Sequence, residues 1–545
     1  MATMKLTLQG IQSAADWEGA GIRLPGYDAR ALAERTRQSP VWVHFGIGNI
    51  FRIFVGSIAD RLVEAGRLDR GITCAETFDH EIVERIYRPF DNLSLSVILN
   101  GDGTVDEKVI GVFGEAIDAR RSNEAQWNRL KQVFSAPGLQ LVSFTITEKG
   151  YALRDAQGEY YPFVRRDIEA GPDRVTGAMG VVAAMLYERF RAGAMPLALV
   201  SMDNRSHNGE VLRDAVLTMA GAWLERGSVE PAFLEYVGDE RRVAFPWTMI
   251  DKITPRPGEA IAGRLEAAGV QDMRPIVTSK QTFIAPFVNA EGPQYLVVED
   301  SFPGGRPPLE AAGVYMADRE TVNRAERMKV TACLNPIHTA LCTYDCLLGY
   351  ELFADGMGDP ELNALARRVG YVEGMAVAPD PGILSPKAFL DEVMNERFPN
   401  RYLGDTSQRI ATDISQMVGI RFSETVKAHV RRFGTAEGLV GIPMAIAGWL
   451  RYMLAVDDAG EPFELAPDPM GRELIARVQD RFRLGWNAEV GDVLRPMLEN
   501  AGIFGTDLYA AGIGERIEAM FRAQLAGPGA VRATLRRYFP GGATA

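Results

Sequence analysis

Val41-Trp42-Val43-His44-Phe45-Gly46-Ile47-Gly48-Asn49-Ile50-Phe51-Arg52 is the stretch on which the fold turns. Its first five residues read as a buried strand that runs into a glycine turn. A glycine pair between a strand and a helix lets backbone amides approach a pyrophosphate, which then rests on the helix N-terminus. Gly46 and Gly48 are therefore candidates for holding a dinucleotide. A full fingerprint would carry a third glycine at position 51, where this chain has Phe51. An ordinary tight turn would present the same residues.

Further apolar runs extend the pattern: Gly71 to Ala75, Leu95 to Leu99, Leu141 to Ile146 and Leu197 to Met202. Helical periodicity lies between several of them, at Val175 to Phe190 and Val211 to Leu224. Alternating strands and helices predict a mostly parallel α/β sheet. Phe245 to Ile250 and Tyr295 to Glu299 are expected as later strands of the same domain. Beyond about residue 320 helical periodicity dominates, at Leu362 to Ala376, Ser423 to Arg432 and Met444 to Val456. The expected architecture is a Rossmann-like domain over 1–315 and a mostly α-helical domain over 316–545. The boundary falls in the Pro- and Gly-rich stretch Pro303 to Ala317. The tail after Pro540 is expected to be disordered.

At 545 residues the chain exceeds one ordinary core. A net charge of −12 argues against nucleic acid and anionic membranes as partners, and means that an anionic substrate needs a local basic pocket. Four cysteines make no disulfide framework and fit a reducing cytoplasm. Neither a signal peptide nor a membrane-spanning run is read from the sequence.

Glu76 ends the second strand candidate, where an acidic residue binds adenosine ribose hydroxyls and favours NAD over NADP. A solvated glutamate at a strand end reads the same way. Asp203-Asn204-Arg205-Ser206-His207-Asn208-Gly209 follows a strand, where ligands bind in open α/β sheets. Asn204 is placed to donate to an oxyanion and Asn208 to cap a helix.

Lys329, Asn335 and His338 stand within ten residues. An amine, an amide and an imidazole together can move a proton and hold an alkoxide, which is half of a carbonyl reduction. The other half is a hydride that only a cofactor supplies. Asn335 and His338 share a helical face, but Lys329 lies six residues before Asn335 and would point elsewhere on a regular helix. Pro336 would crowd the carbonyl of Ala332 if the helix ran through it. A π-bulge near Ala332 to Leu334 would absorb one residue and turn Lys329 back. His338, Cys342 and Cys346 also carry zinc-ligand chemistry at four-residue spacing, although one straight helix rarely supplies three ligands to one ion. Small core cysteines are the preferred reading, with no metal.

Taken together these segments resemble the mannitol dehydrogenase family of long-chain polyol and sugar-acid dehydrogenases. The resemblance rests on Gly46-x-Gly48-x-x-x-Arg52, Thr147-Glu148-Lys149-Gly150-Tyr151, Asp203-Asn204 with His207-Asn208-Gly209, Met249 to Pro255, the Lys329 segment, and Arg409-Ile410-Ala411-Thr412-Asp413. It covers roughly residues 40 to 520. It implies a metal-independent NAD(P) enzyme with substrate between the two domains; separately, a monomer or small homo-oligomer is expected. On that resemblance Gly46, Gly48, Asn49, Arg52 and Glu76 hold the cofactor. Lys329 is the acid and base, which near neutral pH requires desolvation or nearby positive charge to lower its pKa. Asn204 and Asn335 hold the substrate oxygen and His338 orients it. Asp251, Arg409 and His207 bind the rest of the substrate.

Two departures stand out. Polyol members place the lysine five residues before the asparagine, not six, and carry a further lysine where this chain has Met417. Together with Lys280-Gln281-Thr282-Phe283-Ile284-Ala285-Pro286-Phe287, this pattern is more similar to the hexuronate-reducing branch. The expectation is NAD-dependent interconversion of D-fructuronate and D-mannonate. The alternatives are tagaturonate and altronate, a neutral polyol such as mannitol or arabinitol, and a non-catalytic nucleotide-binding regulator.

Overall fold

A computed structural model describes residues 3–155 and 157–541. The expected disordered tail from Gly542 onward lies outside them. The chain divides into two compact units. One holds the residues up to Asn100 with Thr104–Asn323, and the other Gly101–Gly103 with the residues from Arg324 on.

The first unit is built on a six-stranded sheet: β1 (Trp42–Phe45), β2 (Ile72–Glu76), β3 (Phe113–Asp118), β4 (Leu141–Phe144), β5 (Leu197–Ser201) and β6 (Val243–Ala244). Every pairing is parallel and the spatial order is β3-β2-β1-β4-β5-β6. This is the doubly wound dinucleotide-binding order, and it reverses between β1 and β4. Side-chain alternation sends Trp42, Leu141, Ala198 and Val200 into one core and Val43, Phe45, Val142 and Phe144 into the other. With both faces covered, β1, β2, β4 and β5 are mostly apolar, which is why they are visible in the sequence.

Three expected strands belong elsewhere. Ser94–Leu99 pairs antiparallel with Val105–Ile110 and parallel with Phe287–Ala290, in a separate four-stranded sheet. Tyr295–Glu299 lies between Thr248–Asp251 and Tyr315–Ala317 in a three-stranded sheet. Of the run expected from Phe245 to Ile250 only Thr248 to Ile250 is strand, within Thr248–Asp251, and Pro246, which has no amide for a ladder, stands between it and β6.

The second unit is helical. Arg319–Met328 leads into a π-helical turn, Lys329–Cys333, followed by α1 (Asn335–Leu348). Every residue of α2 (Gly441–Tyr452) is buried, and α2 packs on α1 and on α3 (Gly514–Gln524). Gly448 permits the first contact, since a Cβ there would lie 2.5 Å from the Tyr344 ring. The α2 N-terminus is closed by Glu373, whose buried carboxylate accepts the amides of Val440, Gly441 and Ile442.

One buried cation joins the first unit's strands to its helices. Arg189, on the helix Ala178–Arg191, donates to the carbonyls of Phe134, Ala136, Leu139, Met195 and Pro196. These carbonyls belong to the segments entering β4 and β5. Arg189→Met removes this shared donor, although Met195 O keeps its bond from the Tyr236 hydroxyl, and is expected to cost about 3 kcal/mol or more. The measurement is the thermal midpoint of the full chain, and an unchanged midpoint would remove this role.

Candidate active site

The glycine turn sits at the carboxyl end of β1, where the sheet order reverses. Gly46 has φ +86°, and a Cβ there would lie 2.1 Å from the Thr145 carbonyl oxygen that follows β4. Gly48 differs, because a Cβ there would meet nothing within 4 Å. The space over that backbone is open, as close approach of a phosphate requires. Phe51 fills the place of the missing third glycine and stacks on His44 with ring centroids 4.0 Å apart. The close-packing glycine is Gly56 instead, after a π turn over Phe51–Val55, where a Cβ would come within 2.7 Å of Phe113.

A directed chain of hydrogen bonds lies beneath the turn. The Thr145 hydroxyl donates to the Gly46 carbonyl at 2.8 Å, so it accepts from His44 Nε2 at 2.9 Å. His44 Nδ1 is then the acceptor of the Ser143 hydroxyl at 2.7 Å, and Ser143 Oγ accepts from Trp42 Nε1 at 2.7 Å. One tautomer of neutral imidazole satisfies all four bonds. Burial holds the His44 pKa well below its ordinary value, in keeping with that state.

The other expected cofactor residues take up internal bonds. Arg52 is buried, and its guanidinium donates to Ala285 O at 2.7 Å, Asn49 Oδ1 at 2.7 Å and Ser94 Oγ at 3.3 Å. Asn49 in turn donates to Phe283 O at 3.0 Å. Both residues thus tie the turn to the segment Phe283–Ala285. Glu76 is 5% exposed. Its carboxylate accepts the amides of Ile47 at 3.2 Å, Phe78 at 2.8 Å and Asp79 at 3.2 Å. Desolvation raises its pKa and these amides oppose the rise. In this placement Glu76 braces the glycine turn from β2.

Beyond β5, Asp203 accepts the amides of Ile146 and Thr147 and the Tyr151 hydroxyl. This fixes the loops after β4 and β5 to one another, with Asn204 exposed beside them. His207 has φ +53°, precedes the helix Asn208–Glu225, and stacks on Trp247 at 4.4 Å. Asn208 is not the cap expected from sequence. It is the first helical residue, and its buried amide exchanges hydrogen bonds with Thr248. That anchors the strand whose last residue is the buried Asp251.

In the second unit the wide turn required by the six-residue spacing is present. The Leu334 amide donates to the Lys329 carbonyl at 3.1 Å, an i→i+5 bond. Lys329 is 1% exposed. Leu334 then breaks the helix with φ −133°, and α1 restarts at Asn335 with Pro336 in its first turn. Pro336 therefore interrupts no ladder, contrary to the crowding expected from a continuous helix. The π turn is held by the Thr425 hydroxyl donating to Thr331 O at 2.6 Å. Gly374 approaches it as well, where a Cβ would lie 2.8 Å from the Ala332 carbonyl oxygen.

His338 lies between Phe353 and Phe398, with ring centroids at 4.6 and 5.3 Å. Its Nε2 is 3.9 Å from Asp405 Oδ2. Asp405 also accepts from Arg409 Nε at 2.8 Å, so one carboxylate links His338 to Arg409. The segment is anchored to α1 by the Ser407 hydroxyl, 2.7 Å from Asp345 Oδ2. Asp405 was not singled out in the sequence; its one signal is the i,i+4 spacing to Arg409. A second missed residue is Arg421, one turn beyond Met417 on the helix Val418–Arg421, whose Nη1 donates to Thr339 Oγ1 at 2.5 Å. Cys342 is buried and Cys346 faces Gln408 Oε1 at 3.2 Å. Among the described residues no group of three or more His, Cys, Asp and Glu side chains is placed to hold a metal ion.

Models of the mannitol dehydrogenase Rossmann domain and of the mannitol dehydrogenase C-terminal domain match residues 41–311 and 321–521. The D-mannonate oxidoreductase of Thermotoga maritima is 48% identical over 535 residues, covering 98% of each chain. The chain belongs to the mannitol dehydrogenase family. Two solved structures share its fold. A substrate-free D-sorbitol dehydrogenase matches with TM-score 0.79 and 23% identity, over 99% of this chain and 100% of that one. Mannitol 2-dehydrogenase of Pseudomonas fluorescens, in a ternary complex with NAD and D-mannitol, matches with TM-score 0.73 and 25% identity, over 98% of this chain and 99% of that one. No helix among the described residues of this family member is long and apolar enough to cross a membrane.

A dinucleotide fits the first unit on its own geometry. The turn lies at the reversal of strand order, and the open space at Gly48 is where the backbone can be approached. Glu76→Ala is expected to weaken NADH and NADPH together, each by about tenfold, because it releases the turn. Fluorescence titration of both nucleotides measures this, and a selective gain for NADPH would show that Glu76 reads the ribose instead. His44 gives a pH dependence. Its folded pKa lies below the unfolded value of about 6.5, so the stability it contributes is complete above that pH. It is lost as pH falls toward the folded pKa, because the unfolded chain takes up a proton that the buried ring refuses. The thermal midpoint below pH 6.5 should therefore fall less steeply in His44→Gln than in the unaltered chain, and equal slopes would count against it.

Proposed function

We propose that this chain is an NAD-dependent oxidoreductase that interconverts a hexuronate and a hexonate, D-fructuronate and D-mannonate. The observation that carries the reading is the 48% identity, over 98% of both chains, to a D-mannonate oxidoreductase. The NAD in the related ternary complex supports the choice of cofactor. When bound, NADH supplies the hydride that no side chain can carry.

The chain's own residues have the other half of the chemistry. Lys329 delivers the proton to the nascent alkoxide during reduction and takes it back during oxidation. Asn335 and Asn204 donate to the substrate oxygen and stabilise its charge. His338, its ring fixed between Phe353 and Phe398, orients the same hydroxyl. Asp251, His207 and Arg409 contact the rest of the sugar. Burial of Lys329 in the π turn, rather than exposure on a regular helix, supports its role.

The test is NADH oxidation by the purified chain with a panel of hexuronates and polyols, in both directions and after exhaustive chelation. D-fructuronate is expected to be the best substrate, with activity retained without metal. Lys329→Ala should lower that rate by at least about two orders of magnitude while NADH still binds. Better turnover of tagaturonate or a neutral polyol would replace the substrate, and NADH binding without turnover of any of them would favour a regulator.

A further inference from the structure

The net charge of −12 sets a problem for any anionic substrate, which must find a cation that the chain has not already neutralised. Two arginines of the second unit stand beside the catalytic segment. Arg409 has its charge matched, because its guanidinium lies on Asp405, and its side chain is 61% exposed. Arg421 differs on both counts. It closes the helix Val418–Arg421, which packs against both the π turn that carries Lys329 and α1 that carries Asn335 and His338. The group it donates to is the hydroxyl of Thr339, the residue after His338. Among the described residues no carboxylate lies within 4.0 Å of it.

A half-buried guanidinium without a counter-ion is costly to keep. Desolvation lowers its pKa to about 10, which leaves it charged at neutral pH. A guanidinium presents five N–H donors in a planar fork suited to a carboxylate, so one hydroxyl leaves most of its capacity unused. The same position would be of little use toward a neutral hydroxymethyl group.

We propose that Arg421 binds the substrate's carboxylate and is the residue that makes this site prefer a ketohexuronate over the neutral ketohexose of the same skeleton. The inference rests on the hexuronate reading given above, and its failure can be told apart from the failure of that reading.

The experiment compares D-fructuronate with D-fructose as NADH-dependent substrates of the full chain. Arg421→Gln is expected to lower kcat/KM for fructuronate by at least about 50-fold, mainly through KM, and to collapse the fructuronate-to-fructose ratio by a similar factor. Thr339→Val removes the hydroxyl but keeps the cation, and should hold that ratio within about threefold. An equal collapse in Thr339→Val, or an unchanged ratio in Arg421→Gln, would overturn the assignment while leaving the enzyme a fructuronate reductase. Should Arg421→Gln fail to fold, Arg421→Lys decides. A KM raised about fivefold or more for fructuronate but not for fructose supports the assignment, and equal changes for both refute it. An unaltered chain that reduces fructose but no hexuronate would remove both readings.

Discussion

Pro336 has no amide hydrogen, so one helix cannot run unbroken from Arg319 to Leu348 with a complete ladder. The chain meets this constraint by stopping at Leu334 and restarting at Asn335, which puts the proline in a first turn where no amide is needed. The break also permits the turn before it to widen. Leu334 closes an i→i+5 bond on Lys329, and such a turn holds one residue more than an α turn. Six residues from Lys329 to Asn335 then cover roughly the rotation of five in a regular helix. The neighbouring chain is fitted to this irregularity: Thr425 serves a carbonyl of the π turn, and only a glycine can stand at position 374 against another. A helix defect that costs local regularity is thereby locked into one geometry by its packing.

The sheet was legible where burial on both faces left mostly apolar residues. β1, β2, β4 and β5 are such runs. β3 was not, because Phe113-Gly114-Glu115-Ala116-Ile117-Asp118 carries two acids and a glycine. Its Glu115 bonds Arg129, so a charge could be accommodated near the sheet edge without showing an apolar pattern. β6 is two residues long and offers no periodicity at all. Ser94–Leu99 was visible as a strand, but an apolar run does not say which sheet it joins. That is decided by long-range pairing with Val105–Ile110 and Phe287–Ala290.

The site divides along similar lines. The glycine turn and the Lys329, Asn335 and His338 segment could be read because their chemistry is local in sequence. What surrounds them could not. The bond between His44 and Thr145 spans 101 residues, and Glu76 reaches Ile47 across two strands. Asp405 is separated from His338 by 67 positions and meets it only because the segment before Arg409 is tied to α1 through Ser407 and Asp345. Such supporting groups have no spacing rule; the fold alone brings them together.

The buried arginines show how this chain treats internal cations. Arg189 donates to five carbonyls and Arg451 to three, those of Gln524, Val456 and Asp457. Arg52 is divided among a carbonyl, an amide oxygen and a hydroxyl. None of the three relies on a carboxylate. Each is instead distributed over neutral oxygens, which supplies acceptors without adding a second buried charge to desolvate. Arg421 breaks the pattern by having one hydroxyl where the others have three or more acceptors. The guanidinium beside His338 is thus held by one side chain of the protein, and the donors left over are those that the proposal assigns to the substrate carboxylate.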